Sequence, residues 1–256
     1  MGSRVIVEAR NLTMNYHSLT GETAALKDLS LQVREGEFVS IVGPSGCGKS
    51  TLLSLICGLL QPSAGEIIVA SEKVKGPSNK MGYMPQHDQL LPWRNILQNV
   101  TLGLEVQHKL TEERKENAKK LLRKYGLGEF IYHYPSQLSG GMRQRAALIR
   151  TLAIEPEILI LDEAFSALDY QTRMLVSDEV RRIIQAENKT TLLVTHDISE
   201  AISMADRVVV LTKRPAKVKK IYDIELSCDE VSPIRRRECP EFRHYFNSIW
   251  KELDVK

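Results

Sequence analysis

The chain is poor in cysteine: four among 256 residues, at Cys47, Cys57, Cys228 and Cys239. Their spacing offers no Cys-x-x-Cys pair and no zinc pattern, so a structural zinc site is excluded and a disulfide framework is not expected. Long apolar runs are missing too. No stretch approaches the roughly 20 residues that a membrane helix requires. The N-terminus, Met1-Gly2-Ser3-Arg4-Val5, lacks the apolar core of a secretory signal. The expectation is a cytoplasmic protein that reaches a membrane only through a partner. A dominant charge is also lacking, since 35 Lys and Arg against 32 Asp and Glu leave a formal net charge of +3. The basic clusters Lys213-Arg214, Lys217/Lys219/Lys220 and Arg235-Arg236-Arg237 read either as a solvated face or as attraction to an anionic membrane surface. No aromatic-rich or base-reading motif accompanies them, so a nucleic-acid partner is not expected. Internal repeats and low-complexity tracts are absent.

What is present is an ordinary globular composition, 43% hydrophobic and 26% charged, in a chain long enough for one large domain or two small ones. Val5-Ile6-Val7, Leu29-Ser30-Leu31-Gln32-Val33 and Phe38-Val39-Ser40-Ile41-Val42 read as strands, and Glu66-Ile67-Ile68-Val69 follows a turn at Pro62-Ser63-Ala64-Gly65. From Leu90 to about Ile154 the apolar period becomes helical. Ala118, Leu121, Leu122 and Tyr125 share one face, and Thr111 is placed to cap that helix. After Pro156 the strand pattern returns at Ile158-Leu159-Ile160-Leu161, Thr191-Leu192-Leu193-Val194 and Val208-Val209-Val210-Leu211. Near-continuous apolar strands alternating with helices imply a mostly parallel α/β core, with the helical segment inserted in it. In the tail, Phe242, Tyr245, Phe246, Ile249, Trp250 and Leu253 form one helical stripe. It reads as packing against the chain's own body, or as a partner-docking or dimer-stabilising helix.

The strand ending at Val42 runs into Gly43-Pro44-Ser45-Gly46-Cys47-Gly48-Lys49-Ser50, and Thr51 continues as a helix with apolar spacing at Leu52, Ile56 and Leu59. Strand, glycine-rich loop, Lys-Ser and helix form the context of a phosphate-binding loop. Glycines let the backbone curl so that N–H groups converge on phosphate oxygens, and the helix N-terminus adds partial positive charge. Lys49 is placed to reach the β- and γ-phosphates and Ser50 to ligate Mg²⁺. Cys47 lies inside the loop, so alkylating it is expected to block nucleotide. About 110 residues downstream, the apolar strand Ile158–Leu161 ends in Asp162-Glu163. Strand C-terminal ends are where such sheets place ligands. Asp162 would hold the Mg²⁺ shell, and Glu163 would polarise the water that attacks the γ-phosphate.

The third motif is Leu138-Ser139-Gly140-Gly141-Met142-Arg143-Gln144. With it, nearly the whole chain resembles the ATP-binding subunits of ATP-binding-cassette (ABC) transporters. The resemblance implies an α/β P-loop NTPase fold of the ABC nucleotide-binding type with an inserted helical subdomain. Residues 1–88 and 155–225 would form the RecA-like ATP-binding core with an N-terminal β subdomain, 89–154 the helical signature subdomain and 226–256 a C-terminal helical tail. It implies that Tyr16 stacks on adenine and that Gly43, Pro44, Ser45, Gly46, Cys47, Gly48, Lys49, Ser50 and Thr51 hold the phosphates. Ser50 and Asp162, with Gln86 in Tyr83-Met84-Pro85-Gln86, would hold Mg²⁺. Glu163, His196 and Gln86 would support hydrolysis. Asp169, in Ser166-Ala167-Leu168-Asp169, would lie on a loop that crosses a dimer interface. Ser139, Gly140 and Gly141 would contact the γ-phosphate bound to a second copy, so that ATP joins two chains head to tail.

Met142 stands where the family commonly has Gln, and Ala164 where it commonly has Pro; neither removes a catalytic group. The chain also stops soon after the core, so substrate sensing by an added regulatory domain is not expected. Three kinds of cassette protein compete: an importer subunit, an exporter subunit and a non-transport ATPase. Tyr132-His133-Tyr134-Pro135-Ser136-Gln137 before the signature looks like importers. The 90 residues between Lys49 and Ser139 leave no room for the coiled coil of chromosome-type members. Leu90-Leu91-Pro92-Trp93-Arg94-Asn95, Met142-Arg143-Gln144-Arg145 and the segment Phe165 to Arg173 resemble the nitrate/sulfonate/taurine-type importers. That resemblance implies membrane permease subunits as partners at the cytoplasmic face of the membrane, with a solute-binding protein as an indirect one. It leaves the cargo open.

Overall fold

The computed structural model describes residues 4–18, 21–228 and 232–253. The chain forms two compact units, residues 1–78 with 188–256, and residues 79–187. The first unit opens with β1 (Val5–Ser18), β2 (Gly21–Arg34), β3 (Phe38–Val42), α1 (Lys49–Ile56), β4 (Ala64–Val69) and β5 (Glu72–Lys73). The second holds β6 (Met81–Met84), α2 (Ile96–Val100), α3 (Leu102–Val106), α4 (Glu112–Lys124), α5 (Gly140–Ala153), β7 (Ile158–Asp162) and α6 (Tyr170–Ala186). The chain then returns to the first unit with β8 (Thr190–Val194), α7 (Ile198–Met204), β9 (Arg207–Leu211), β10 (Val218–Asp223), α8 (Pro233–Arg236) and α9 (Pro240–Leu253).

In the first unit β3 lies between β8 and β9, parallel to both, and β10 adds antiparallel to β9. All five residues of β3 and of β8 are buried, which is why both read as near-continuous apolar runs, interrupted by Ser40 and by Thr190 and Thr191, rather than as alternations. A second, antiparallel sheet pairs β1 with β2 and with β4. Its first two strands span 14 residues each, longer than the short apolar runs suggest. Register shifts along the β1–β2 pair break the alternation that would otherwise mark such length. Helix α1 stops at Ile56, and Leu59, expected on its apolar face, is 58% exposed. The chain turns at Gly58, with φ +72°, before the helical face can reach Leu59.

The second unit pairs β6 with β7 in parallel. Its helices close over an apolar cluster that includes Leu90, Ile96, Ala118, Leu122, Leu138 and Ile149. Helix α4 begins as its residues require: the Thr111 side chain accepts from Arg114 N at 3.3 Å, capping a helix whose buried face carries Ala118 and Leu122.

The cysteines depart from expectation. Cys228 and Cys239 form a disulfide, their Cα atoms 6.1 Å apart, where none was expected. The fold sets the two residues within bridging reach, a proximity invisible in the 11-residue spacing. In the C-terminal stripe only Ile249 is buried. Phe242, Tyr245, Phe246 and Leu253 are half-covered and Trp250 is exposed, so α9 packs by one edge only. No helix among the described residues is long and apolar enough to cross a membrane.

Candidate active site

In the first unit, buried β3 delivers the chain to a loop that curls around the ammonium of Lys49. Lys49 Nζ donates to Gly43 O at 2.9 Å and Pro44 O at 3.0 Å, so a side chain only 6% exposed keeps hydrogen-bond partners. Gly48 has φ +124°, and a Cβ there would lie 3.0 Å from Ala25 O and from Leu26 Cδ2. Conformation and space both demand glycine at that position. Ser45, Gly46 and Ser50 are exposed. Cys47 points inward and is 1% exposed. Burial pushes its thiol up, against the opposing charges of Lys49 and Arg214. Tyr16 OH and Thr51 Oγ1 are 3.2 Å apart, so the half-exposed ring stands beside the start of α1.

Sequence reasoning missed Arg214. Its Nε and Nη2 donate to Gly46 O at 3.0 and 2.6 Å, tying the loop to the segment after β9. Read only as part of the basic cluster Lys213-Arg214, an Arg 168 positions away carries no local signal of such a contact. His196 is exposed at the mouth of α7. Asp197 beside it caps that helix, accepting from Glu200 N at 3.1 Å. A cavity of about 300 Å³ is lined by residues 43–45 of the loop together with His196, Ile198, Trp250 and Leu253. The fold thus brings the phosphate loop and the histidine to one cavity across about 150 residues of sequence.

The second unit carries the carboxylates and the signature. Four residues of β7 are buried, and Asp162 emerges half-covered at its end, where Tyr83 OH donates to Asp162 Oδ2 at 2.8 Å. Glu163 follows with φ +48°, a left-handed backbone that turns the chain sharply off the strand. Ser166 Oγ donates to Glu163 O at 2.9 Å and accepts from Gln86 Nε2 at 3.0 Å. One hydroxyl therefore couples Gln86 to the backbone of Glu163. Neither this link nor the contact of Tyr83 with Asp162 was read from sequence, because both depend on the pairing of β6 with β7.

Ser139 caps α5, its hydroxyl accepting from Met142 N at 3.3 Å, and Gly140 and Gly141 open the helix. A Cβ on Gly141 would lie 2.9 Å from Val176 Cγ2 on α6. That glycine is set by helix-to-helix packing as well as by any ligand. Asp169 caps α6, accepting from Thr172 N at 3.1 Å, and hydrogen bonds from the Thr172 side chain and amide hold its carboxyl below the usual range. Arg143 donates to Asp88 Oδ2 at 3.1 Å and Leu138 O at 2.7 Å, and Arg150 to Gln89 O and Asp88 O. The segment after Gln86 is thereby fastened to the signature helix.

A phosphate cradle with a buried lysine, a strand ending in Asp-Glu and a Ser-Gly-Gly helix cap are the parts of a nucleotide-hydrolysing cassette. Residues 26–166 match the family model described as ABC transporter. The chain belongs to the ABC transporter family. The cassette is 44% identical over 95% of its length, and 94% of the relative's, to the uncharacterized ABC transporter ATP-binding protein YtlC of Bacillus subtilis. It is 40% identical to the nitrate import ATP-binding protein NrtD of Synechocystis, covering 95% of this chain and 93% of that one. Against the taurine import ATP-binding protein TauB of Yersinia pestis the identity is 45%, over 76% of each chain. Among solved structures, a dimeric post-hydrolysis state of the ATP-binding cassette MJ0796 bound to ADP and Pi superposes with a TM-score of 0.73 at 34% identity. The match covers 86% of this chain and 99% of that one. The chain is therefore an ABC ATPase, the ATP-binding subunit of an ABC transporter.

Proposed function

We propose that this subunit energises a membrane importer of small solutes, of the nitrate, sulfonate, taurine or related kind, by ATP-driven closure of two cassettes. The observation that carries the reading is its 40% identity to a nitrate import ATP-binding protein across nearly the full length of both chains, joined by 45% to a taurine import one. The donor set fits Mg-ATP. Lys49 is held by carbonyls that a triphosphate can relieve, and Ser50 stands exposed. Mg²⁺ keeps several waters and takes few protein ligands beside phosphate oxygens, so Ser50, Asp162 and Gln86 would suffice. Bound Mg²⁺ would neutralise charge on the β- and γ-phosphates.

Tyr16 positions the adenine and residues 43–51 the phosphates. Ser139, Gly140 and Gly141 of a second copy cover the γ-phosphate, with Asp169 on the crossing loop. Glu163 accepts the proton of the attacking water while His196 steadies the γ-phosphate. This is positioning and electrostatics, with little covalent work for the protein. Gln86, hydrogen-bonded to Ser166, reports the state of the site to the adjoining segment. There Asn99 Nδ2 donates to Leu91 O, Arg94 O and Asn95 O, which holds the Leu91–Asn95 loop rigid with Trp93 71% exposed. Backbone bonds from Ile96 N to His133 O and from Leu97 N to Ile131 O, both 2.9 Å, bring exposed Tyr132 and Tyr134 alongside that loop. This aromatic surface would seat a helix of the permease, and the subunit would then lie at the cytoplasmic face of the membrane. A solute-binding protein would act on the far side of that permease, and no nucleic acid enters the scheme.

The test is the mass of purified Glu163→Gln protein by size-exclusion chromatography with light scattering. A dimer that appears only with Mg-ATP supports the shared site. A monomer with ATP demonstrably bound rejects it.

A further inference from the structure

The mechanism leaves α9 unused, yet the structure fastens it carefully. It packs on α7 and β9 with Ile249 fully buried. Lys219 and Lys220 of β10 reach Glu252 at 3.2 and 3.5 Å, Glu225 N donates to Tyr245 OH at 3.2 Å, and the helix starts directly after disulfide-bonded Cys239. Its outer edge, by contrast, keeps a large aromatic surface in water. Trp250 is 55% exposed and stacks on Phe246 with ring centroids 6.1 Å apart and planes 16° from parallel. A stacked pair on a fastened helix is a rigid plate, and exposed tryptophan of this kind is the residue type most enriched at the energetic centres of interfaces.

The position of the plate identifies its occupant. Trp250 and Leu253 wall the same cavity as residues 43–45 and His196. In the proposed closure those loop residues and that histidine are what a second copy must cover, so the surface it seals continues directly onto the aromatic edge of α9. We propose that Trp250 and Leu253 belong to the face on which a second copy of this chain closes when ATP is bound. The inference rests on the ATP-driven dimer proposed above and adds to it an element outside the nucleotide motifs, whose role is to strengthen the closed state.

The chain has two tryptophans, so a Trp93→Phe, Glu163→Gln protein carries Trp250 as its sole indole emitter. Acrylamide quenching of that emission is measured on the nucleotide-free protein and on the Mg-ATP dimer isolated by size exclusion. The expected result is a quenching constant about threefold lower in the dimer, as burial at an interface excludes the quencher. In parallel, Trp250→Ala should raise the protein concentration at half-dimerisation about tenfold, and Trp250→Phe should restore most of the loss. A dimer in which Trp250 is quenched as readily as before overturns the inference and leaves the dimer reading standing. Equal shielding in an ATP-bound Ser139→Arg protein shown to be monomeric does the same, because nucleotide alone would then cover the ring. A parent that stays monomeric with ATP bound removes both. The quenching comparison does not depend on the folding of the Trp250 variants.

Discussion

At the scale of single residues, Lys49 shows how a buried ammonium is satisfied by the carbonyls of its own loop. Lys49 is buried and satisfied by two carbonyls, so removing it leaves carbonyls unpaired and a triphosphate without its cation. Lys49→Ala is expected to weaken ATP binding by about 10- to 100-fold, the worth of one hydrogen bond to a charged group. Titration with a fluorescent ATP analogue measures this. Cys47 makes a pH-dependent prediction. Burial raises its thiol pKa in the folded protein, so the folded chain keeps the proton where the unfolded chain releases it. The contribution to stability is therefore complete below the unfolded thiol range and is lost as pH rises from there through the raised folded value. Maleimide modification of Cys47, followed by intact mass, should be slow near neutrality and should still be accelerating above the ordinary thiol range. Modified protein should fail to bind ATP. Rapid labelling at neutral pH would contradict the inward, desolvated placement.

At the scale of elements, the signature helix is held by what surrounds it. Its serine is a cap, its second glycine admits α6, and Arg143 and Arg150 bind the segment after Gln86. The two glycines should accordingly differ. In Gly141→Ala the added methyl meets buried Val176 at 2.9 Å, whereas in Gly140→Ala it meets the end of Leu168 at 3.2 Å. Overpacking costs about 1–3 kcal/mol, and alanine returns up to about 1 kcal/mol of helix propensity. Urea denaturation should therefore show Gly141→Ala clearly destabilised and Gly140→Ala close to the parent. Equal stabilities would mean that α5 and α6 are less closely packed than the structure shows. This part of the site was half legible in advance. Ser-Gly-Gly before a helix reads as a surface for the γ-phosphate of a second copy, whereas the Ser139 cap and the packing of Gly141 on Val176 follow only from the fold.

At the scale of the whole molecule, an ATPase is useful to a transporter only if closure is felt elsewhere. Gln86 bonded to Ser166, and the Leu91–Asn95 loop held by Asn99 with Trp93 exposed, are the parts suited to that. Trp93→Ala should lower ATP-dependent solute uptake in vesicles that carry the complete transporter by tenfold or more, the scale of losing one aromatic anchor. It should also reduce recovery of the permease with the tagged subunit. Unchanged uptake and unchanged recovery would remove this surface from the coupling path.

Local chemistry was legible from the residues alone: the strand Phe38–Val42, the glycine-rich loop leading into α1, the Asp162-Glu163 strand end, the Thr111 cap and the Ser-Gly-Gly start of α5. Each depends on residues within a few positions of one another, where periodicity, glycine and capping preferences operate. Only the tertiary structure decided what distant residues share. It brought Arg214 to Gly46, Tyr83 to Asp162, Cys228 to Cys239, and Trp250 to the cavity of His196 and the phosphate loop. It also left Leu59 in solvent and Trp250 off the core, although both fit an apolar helical face. The physical reason is the same in each case. Hydrophobic patterning specifies which side of an element is buried, but burial is indifferent to the identity of the partner, and long-range contacts are chosen by how the sheets and helices pack.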